Sequence, residues 1–429
     1  MVPGMAREPL MSGFPPFAES RVTLANWQDP PYNRWSFQHL RELIPTQRIS
    51  RGQGRQRVMV QHGASALLDD VTVHRLAGDT STFGEVIAET WTDAVVVLHD
   101  GQIVWEHYGN GMTEDTPHLL MSVTKSVVGC IAGILVEQGL LNPDEQVSSY
   151  VPEIAGSGYR GATIRHLLNM RTGVAFREEY TNRDAEVRVM ERYMGWRPGE
   201  DHDDPRGMYF YLTKLGADSD HGGPFVYRSA DTDMLGWVCE RASGARMADL
   251  ISLLIWQPMG AEFDAEITCD CVGTAIHDGG MSARARDLAR FGQLILKDGY
   301  VYETSIVPEP WLREARTLDP DIRGAFAASE SELILTGGWY RNQFWFEPGP
   351  SGDLQLCLGI HGQMALIDRA TRTVSVKMSS WPTAQDPAAL IDTIRAFVAA
   401  GRHLAGLAGD VRSVHGPIGI VEGRERGHS

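Results

Sequence analysis

The segment Ser122-Val123-Thr124-Lys125 places a hydroxyl and an amine three residues apart in a long apolar stretch. In a helix, residues i and i+3 lie on one face, so the Lys125 amine can reach the Ser122 hydroxyl. A serine hydroxyl becomes a good nucleophile when a neighbouring base takes its proton. Lysine can act as that base when burial lowers its pKa, whereas arginine stays protonated. The pair therefore predicts a nucleophilic Ser122, on condition that burial leaves the Lys125 amine uncharged part of the time.

Lysine is rare in this chain, which makes its position beside a serine informative. Four of the 39 basic residues are lysines, and the others are arginines. A lysine within an apolar helix is costly unless it has partners. Ser-x-x-Lys is nevertheless a loose pattern that also arises by chance, so a catalytic interpretation needs support from other segments.

Two later segments supply the other groups that acyl transfer requires. Tyr227 precedes a predicted helix, and a phenol held near an ammonium can shuttle a proton. The segment Leu358-Gly359-Ile360-His361-Gly362 ends a predicted strand, where small residues let a substrate carbonyl approach a backbone N–H. Taken alone, a tyrosine in this context is a packing residue and His361 is a core or surface histidine. Together with Ser122 and Lys125, the two segments predict an acyl-transfer site.

The elements that must position these groups are strands at both ends of the ordered chain, with helices between them. Asp100-Gly101 joins two β-rich runs and predicts a hairpin at 94–99 and 102–107. A helix from Met121 to Gly139 is apolar on nearly every face and is predicted to be buried. Further strands are predicted at 354–360, 364–368 and 374–379, and further helices at 35–43, 164–168, 232–242, 285–297 and 387–400. This order predicts an α+β fold, with one antiparallel sheet flanked by helices and an all-helical insertion.

The same pattern predicts how the chain is divided. An irregular N-terminal wrap is expected over 1–85, and the α/β catalytic domain over 86–165 together with 266–404. A helical subdomain is expected over 166–265, followed by a tail at 405–429 that is rich in glycine, arginine and charge.

Composition excludes several other classes of function. A net charge of −16 opposes binding to nucleic acid. Five scattered cysteines do not form a disulfide framework or a zinc motif, and neither a metal nor an organic cofactor is expected. The N-terminal residues lack the pattern of a secretory signal, and no segment has the length and apolarity of a membrane span. We therefore expect a cytoplasmic protein that does not interact with membranes.

The motifs resemble those of a known group of enzymes. Ser-x-x-Lys, a later Tyr-x-Ser and a His-Gly pair near a strand end are similar to the class C β-lactamase, DD-peptidase and family VIII esterase group. Further segments resemble the 6-aminohexanoate-dimer hydrolases, the nylon-oligomer hydrolases, within this group. They are Asn26-Trp27-Gln28-Asp29-Pro30-Pro31, Asn33-Arg34-Trp35, Leu119-Leu120-Met121-Ser122-Val123, Gly359-Ile360-His361-Gly362-Gln363 and Ser379-Ser380-Trp381-Pro382. The resemblance covers roughly residues 20–400 and implies a β-lactamase-like fold.

The resemblance also implies roles for individual residues. Ser122 is implied as the nucleophile, Lys125 and Tyr227 as the proton-transfer pair, and the backbone N–H groups of Ser122 and Ile360 as oxyanion donors. Tyr180 is similar to a flap tyrosine that closes over the substrate. The other implied substrate-binding residues are Glu191, Trp196, Asp278, Trp345 and His361.

Four positions depart from the pattern of these relatives. Glu191 replaces an Asp that meets the substrate's amino end, and Asp278 replaces an Asn. These two changes affect the expected specificity more than the chemistry. Ser229 replaces the Asn of β-lactamases, and Gln363 replaces a Gly, which weakens the case for β-lactam hydrolysis.

The sequence therefore predicts a serine hydrolase that cleaves amide or ester bonds of small linear substrates through an acyl-enzyme on Ser122. Three alternatives remain at this stage. They are a short-chain carboxylesterase, a penicillin-recognising enzyme or β-lactamase, and a non-catalytic binding protein on the same fold. The expected partner is a small-molecule amide or ester, and a homodimer is compatible with the sequence.

Overall fold

The structure of this chain is a computed structural model. It describes residues 9–54, 58–61, 68–200, 203 and 206–406. The strands are β1 (Thr46–Ile49), β2 (Thr72–His74), β3 (Thr80–Thr82), β4 (Thr92–His99), β5 (Gln102–Tyr108), β6 (His118–Leu119), β7 (Ala265–Thr268), β8 (Met281–Ala283), β9 (Tyr300–Val301), β10 (Thr304–Ser305), β11 (Trp339–Arg341), β12 (Phe344–Pro348), β13 (Asp353–Gly359), β14 (Gln363–Asp368) and β15 (Thr373–Ser379). The α-helices are α1 (Asn33–Ser36), α2 (Phe83–Glu89), α3 (Val123–Glu137), α4 (Ile164–Leu168), α5 (Glu186–Tyr193), α6 (Gly207–Leu212), α7 (Ser229–Ser243), α8 (Met247–Ile251), α9 (Ala285–Leu296), α10 (Glu309–Arg316), α11 (Pro320–Ala327) and α12 (Pro387–Leu404).

The main sheet joins strands from distant parts of the chain. Its order is β11-β12-β13-β14-β15-β4-β5, and each neighbouring pair is antiparallel. The predicted hairpin is confirmed as β4 and β5, and Asp100 and Gly101 both have the positive φ that such a turn requires. The pairing of β15 with β4 confirms that one antiparallel sheet is assembled from both ends of the ordered chain.

Helices cover both faces of this sheet, which explains why residues 94–98 of β4 are all apolar. Val96 and Leu98 belong to the core that includes residues of α3 and α9. Val95 and Val97 point the other way, into the core formed with α2 and α12. A strand buried on both faces shows no alternation of polar and apolar residues.

The N-terminal region is more regular than its sequence predicts. The prediction of an irregular wrap over 1–85 is wrong for β1, which pairs with β7 in a second sheet of order β1-β7-β8-β6. It is also wrong for the β2–β3 hairpin and for α2. These strands have three or four residues each, too few for an alternating pattern to be visible in the sequence. The helix predicted at 35–43 is instead α1 followed by the 3-10 turn Leu40–Glu42.

The middle of the chain is helical, as predicted, from α4 to α8. A π-helical turn, Ser252–Trp256, follows α8, and an isolated bridge joins Val174 to Ala217. α7 begins at Ser229, three residues earlier than predicted, and packs against α3 and α4. The division into a catalytic domain and a helical subdomain stays a prediction. The predicted tail lies outside the described residues from residue 407 onward.

Candidate active site

Ser122 lies at the N-terminus of α3, immediately after a turn in a strained conformation. Met121 has a φ of +47°, which costs a non-glycine residue on the order of 1 kcal/mol. The residue before Met121 is held in place by β8, because the N–H of Leu120 donates to the carbonyl of Met281 at 2.8 Å. The buried helix predicted from Met121 therefore begins at Val123 instead, with Ser122 as its N-cap residue. The Ser122 backbone N–H stands at the helix terminus, where an oxyanion is stabilised.

Lys125 lies one helical turn past Ser122 and is 1% exposed. Its Nζ donates to the hydroxyl of Ser122 at 2.9 Å, to the hydroxyl of Ser229 at 3.1 Å and to the carbonyl of Asp278 at 2.8 Å. These three acceptors match the three protons of an ammonium group. The Asp278 carboxylate lies 3.6 Å from the same nitrogen.

The phenol of Tyr227 lies beside the same two groups. The Ser122 hydroxyl acts to lower the pKa of the phenol, and the ring centroid lies 5.2 Å from Lys125 Nζ. The ring packs on Trp345, with centroids 5.1 Å apart. The structure therefore brings together Ser122, Lys125 and Tyr227 as the sequence predicts.

The charge of Lys125 differs from the prediction. Burial alone lowers the pKa of its amine, but Tyr227 once it is a phenolate, together with the carboxylates of Asp278 and Glu178, acts in the opposite direction, and the pKa is raised. Burial also raises the pKa of the Tyr227 phenol, which outweighs the opposing effect of Lys125. Near neutral pH the resting pair is therefore an ammonium and a neutral phenol. The direction of this shift is opposite to the one expected from burial alone.

Two acidic residues next to this pair were not identified from the sequence as site residues. Asp233 on α7 accepts the backbone N–H groups of His277 and Asp278 at 2.9 and 3.1 Å, and burial raises the pKa of its carboxyl well above its usual range. Glu178 accepts the backbone N–H of Ser229 at 2.5 Å and the phenol of Tyr180 at 2.6 Å. Both lie more than fifty residues from Lys125 in the sequence, and no motif marks them.

The end of β13 lies directly against the residues at the N-terminus of α3. A Cβ placed on Gly359 would lie 2.7 Å from the carbonyl oxygen of Leu120 and 3.0 Å from the Ser122 nitrogen. Gln363 fixes the following turn, since its side chain donates to the carbonyl of Ser379 at 2.6 Å and accepts from the Ser379 N–H at 3.1 Å. Ser122 and Ile360 both line each of two cavities at this site, and their role as oxyanion donors stays a prediction.

Ser122 lies at the junction of these two cavities, together with Tyr180 and Ile360. The larger cavity has a volume of about 180 Å³ and is mostly apolar; among its lining residues are Tyr227, Trp345, Leu358 and Trp381. The smaller cavity has a volume of about 20 Å³, and its other lining residues are Met121, Val187, Met190, Glu191, Met194, Trp196, Asp278 and Gly279.

Five of the six predicted substrate-binding residues line one or both cavities, and His361 lines neither. Trp196 is fixed by a hydrogen bond from its indole N–H to the Thr268 hydroxyl at 3.1 Å. His361 turns away, with its Nδ1 2.8 Å from the carbonyl oxygen of Trp381. Burial lowers the pKa of this imidazole to about 4, which makes it neutral at physiological pH. His361 is therefore placed to hold the turn, and the geometry gives it no contact with a bound substrate.

The described residues contain no cluster of three or more His, Cys, Asp or Glu side chains suited to hold a metal ion. No helix in the described ranges is both long and apolar enough to cross a bilayer.

Comparison with known proteins identifies the family. The chain matches the Beta-lactamase family over residues 85–400, and it belongs to that family. It is a serine hydrolase of the β-lactamase fold, as its sequence predicts. The 6-aminohexanoate-dimer hydrolase of Paenarthrobacter ureafaciens is 36% identical to it over 369 residues, which cover 86% of this chain and 91% of that enzyme.

Solved structures agree with this assignment. A Bacillus anthracis protein assigned as a 6-aminohexanoate-dimer hydrolase has a TM-score of 0.83 and 26% identity, and the match covers 91% of this chain and 99% of that one. A family VIII carboxylesterase has a TM-score of 0.58 at 16% identity, over 80% of this chain and 99% of that one, and shares the fold. The predicted α+β fold with helices flanking antiparallel strands is confirmed.

Proposed function

We propose that this protein hydrolyses amide or ester bonds of small molecules through an acyl-enzyme on Ser122. The observation that carries the proposal is the contact of one hydroxyl with two proton-transfer groups. Lys125 Nζ lies 2.9 Å from Ser122 Oγ, and the Tyr227 phenol interacts with the same hydroxyl, which acts to lower the pKa of the phenol. A nucleophile held this way at the mouth of two cavities is the arrangement that acyl transfer needs.

The resting charges set the order of proton transfer. Because the Lys125–Tyr227 pair holds both protons near neutral pH, it must lose one before Ser122 can be activated. The remaining proton stays on Lys125, and the Tyr227 phenolate takes the proton of Ser122 as its oxygen attacks the substrate carbonyl. The oxyanion is then stabilised by the N–H groups of Ser122 and Ile360.

The second half of the reaction returns the enzyme to its starting state. Tyr227 gives its new proton to the leaving amine or alcohol, and the bond between the carbonyl carbon and the leaving group breaks. A water molecule then transfers a proton to Tyr227 and attacks the acyl carbon. The bond between that carbon and Ser122 Oγ breaks to release the acid, and Tyr227 returns the proton to Oγ.

The choice between an amidase and an esterase depends on the substrate. The name of the Paenarthrobacter ureafaciens relative supports an amide between linear aliphatic units, whereas the carboxylesterase alternative uses the same groups. A β-lactamase role is less supported, since Ser229 and Gln363 replace the Asn and Gly of that pattern. Rates with p-nitrophenyl acetate, a short linear amide and nitrocefin, compared for the same preparation, separate the three.

The variant Ser122→Ala tests the proposal. Removal of the nucleophile is expected to abolish turnover of every substrate while the thermal transition of the protein stays near that of the wild type, because the hydroxyl is small. The Thr124→Ser variant on the same helix is a control that retains a nucleophile. Full activity in Ser122→Ala contradicts the proposal, and failure of an active-site serine probe to label the wild type supports the non-catalytic alternative.

A cytoplasmic location, the lack of affinity for nucleic acid and a homodimer remain sequence-based predictions. Light scattering during gel filtration measures the oligomeric state.

A further inference from the structure

Two buried carboxyl groups lie next to each other near Lys125. Asp233 on α7 is 0% exposed, and Asp278, in the segment before β8, is 8% exposed. Oδ1 of Asp233 accepts the backbone N–H of Asp278 at 3.1 Å and that of His277 at 2.9 Å. Oδ2 of Asp233 and Oδ1 of Asp278 are also buried, and neither oxygen has a hydrogen-bond partner in the part of the chain that the structure describes. Because an ionised carboxylate oxygen that is buried without a donor is costly, these two oxygens favour a shared proton.

The charges around Lys125 also favour a proton on one of its acidic neighbours. The carboxyl groups of Asp278, Glu178 and Asp233 all act on the Lys125 amine. Three carboxylates against one ammonium would leave an excess of negative charge in a site where Lys125 itself is 1% exposed. Uncompensated buried charge is costly, and protonation of one acid reduces this excess.

Hydrogen bonding distinguishes Asp233 from the other two acids. Both oxygens of Glu178 accept a hydrogen bond, from the Ser229 N–H at 2.5 Å and from the Tyr180 phenol at 2.6 Å, which suits a carboxylate. Asp278 Oδ2 lies 3.6 Å from the ammonium, whereas no ion pair to Asp233 occurs among the described residues. Burial and the charge of Asp278 together raise the pKa of the Asp233 carboxyl well above its usual range. The proton therefore belongs on Asp233, at the oxygen that accepts no N–H.

Asp233 reaches Lys125 through the segment 277–278. The carbonyl of Asp278 accepts a hydrogen bond from Lys125 Nζ at 2.8 Å. Because Asp233 Oδ1 holds the N–H groups of residues 277 and 278, it fixes the peptide that carries this carbonyl. A proton on Oδ2 fixes the Asp278 side chain as well, so that carbonyl and carboxylate both stay against the ammonium.

We propose that Asp233 is a positioning residue that carries a proton on Oδ2 and donates it in a hydrogen bond to Oδ1 of Asp278, which keeps Asp278 in contact with Lys125. In this arrangement the carboxylates of Asp278 and Glu178 act on the ammonium, and Asp233 adds no charge. The proposal rests on the proposed function, since Lys125 belongs to the proton-transfer pair that acts on Ser122.

The variants Asp233→Asn and Asp278→Asn test the proposal as a pair. The amide of Asp233→Asn has the shape of a protonated carboxyl, since its oxygen still accepts the two N–H groups and its NH2 donates to Asp278. No charge is lost, so the midpoint of its pH–kcat/KM profile should equal that of the wild type. Asp278→Asn removes a charge, and its midpoint should move to lower pH by about one unit. A similar move in Asp233→Asn would mean that Asp233 is ionised, which overturns the proposal.

Infrared spectroscopy detects the proton without turnover. The difference spectrum of the wild type minus Asp233→Asn at neutral pH should contain the C=O stretching band of a protonated carboxyl, and this band should move to lower frequency in heavy water. Absence of the band overturns the proposal. Asp233→Ser, which also lacks the carboxyl, serves for this measurement if Asp233→Asn does not fold.

The matched control is Asp231→Asn. Asp231 is also buried on α7, but its carboxylate accepts the hydroxyl of Thr172 at 2.8 Å. The profile midpoint of this variant should equal that of the wild type, and the band that Asp233→Asn removes should remain. Loss of that band in Asp231→Asn contradicts its assignment to Asp233. A wild type that shows the band but no Ser122-dependent turnover supports the proton on Asp233 and contradicts the proposed function.

Discussion

At the scale of single residues, the spacing of Ser122 and Lys125 was predictable and the charge of the amine was not. The i, i+3 rule brings the two side chains together whatever the rest of the chain does. The charge depends on Tyr227, Asp278 and Glu178, which reach Lys125 only through the tertiary fold. The sequence shows that Lys125 is buried, which lowers its pKa. It does not show the acidic neighbours, whose opposing effect on that pKa is larger.

The pH dependence of activity should report this balance. Because the resting pair must lose a proton, kcat/KM should rise with pH from the neutral range upward. Asp278→Asn removes a negative charge 3.6 Å from Lys125 Nζ, so the proton should leave more easily and the rise should move to lower pH by about one unit. The pH–kcat/KM profile measures this shift.

Glu179→Gln is the control for that experiment, because Glu179 is an exposed acid next to Glu178. Its profile should coincide with that of the wild type. If the Asp278→Asn profile also coincides with the wild-type profile, the proposed effect of Asp278 on Lys125 is wrong.

At the scale of elements, the strand that ends at Gly359 was predicted, but its fit against α3 was not. The run at 354–360 predicts a strand because most of its residues are apolar. The short strands β1, β2, β3, β6, β7 and β8 carry too few residues for such a pattern. They could be recognised only once their partners were in place.

Gly359→Ala should disturb the oxyanion site without the strain of an unusual backbone conformation. The φ of Gly359 is −136°, an ordinary extended value, so the effect comes from the added Cβ. That atom would lie 2.7 Å from the Leu120 carbonyl oxygen and would push β13 away from Ser122. We expect kcat to fall by about a hundredfold, as for the loss of an oxyanion donor, with a smaller change in KM. Steady-state kinetics with one ester measures both, and an unchanged kcat contradicts the oxyanion role of Ile360.

At the scale of the whole molecule, the sheet holds the site because helices pack tightly on both of its faces. The α+β class and the pairing of distant strands followed from the order of elements along the chain. The second sheet and the exact approach of each helix depend on packing between segments that the sequence does not place side by side. Gly292 on α9 shows how close that approach is, since a Cβ there would lie 2.5 Å from Val374 Cγ1 on β15.

Gly292→Ala should therefore destabilise the fold and leave the chemistry intact. Overpacking at this contact is expected to lower the free energy of unfolding by about 1–3 kcal/mol. Gly324→Ala on α11 is the matched control, because no atom lies within 4 Å of its added Cβ and alanine favours the helix. Urea unfolding measures both variants; equal stability of Gly292→Ala and the wild type contradicts tight packing of α9 on β15.

The acyl-enzyme is the central claim, and intact-mass spectrometry after rapid acid quenching of a reaction with p-nitrophenyl butyrate tests it most directly. The wild type should gain the mass of one butyryl group, and peptide mapping should place it on Ser122. Ser122→Ala should gain none. Turnover by the wild type with no covalent adduct, or an adduct on a different residue, would contradict the account.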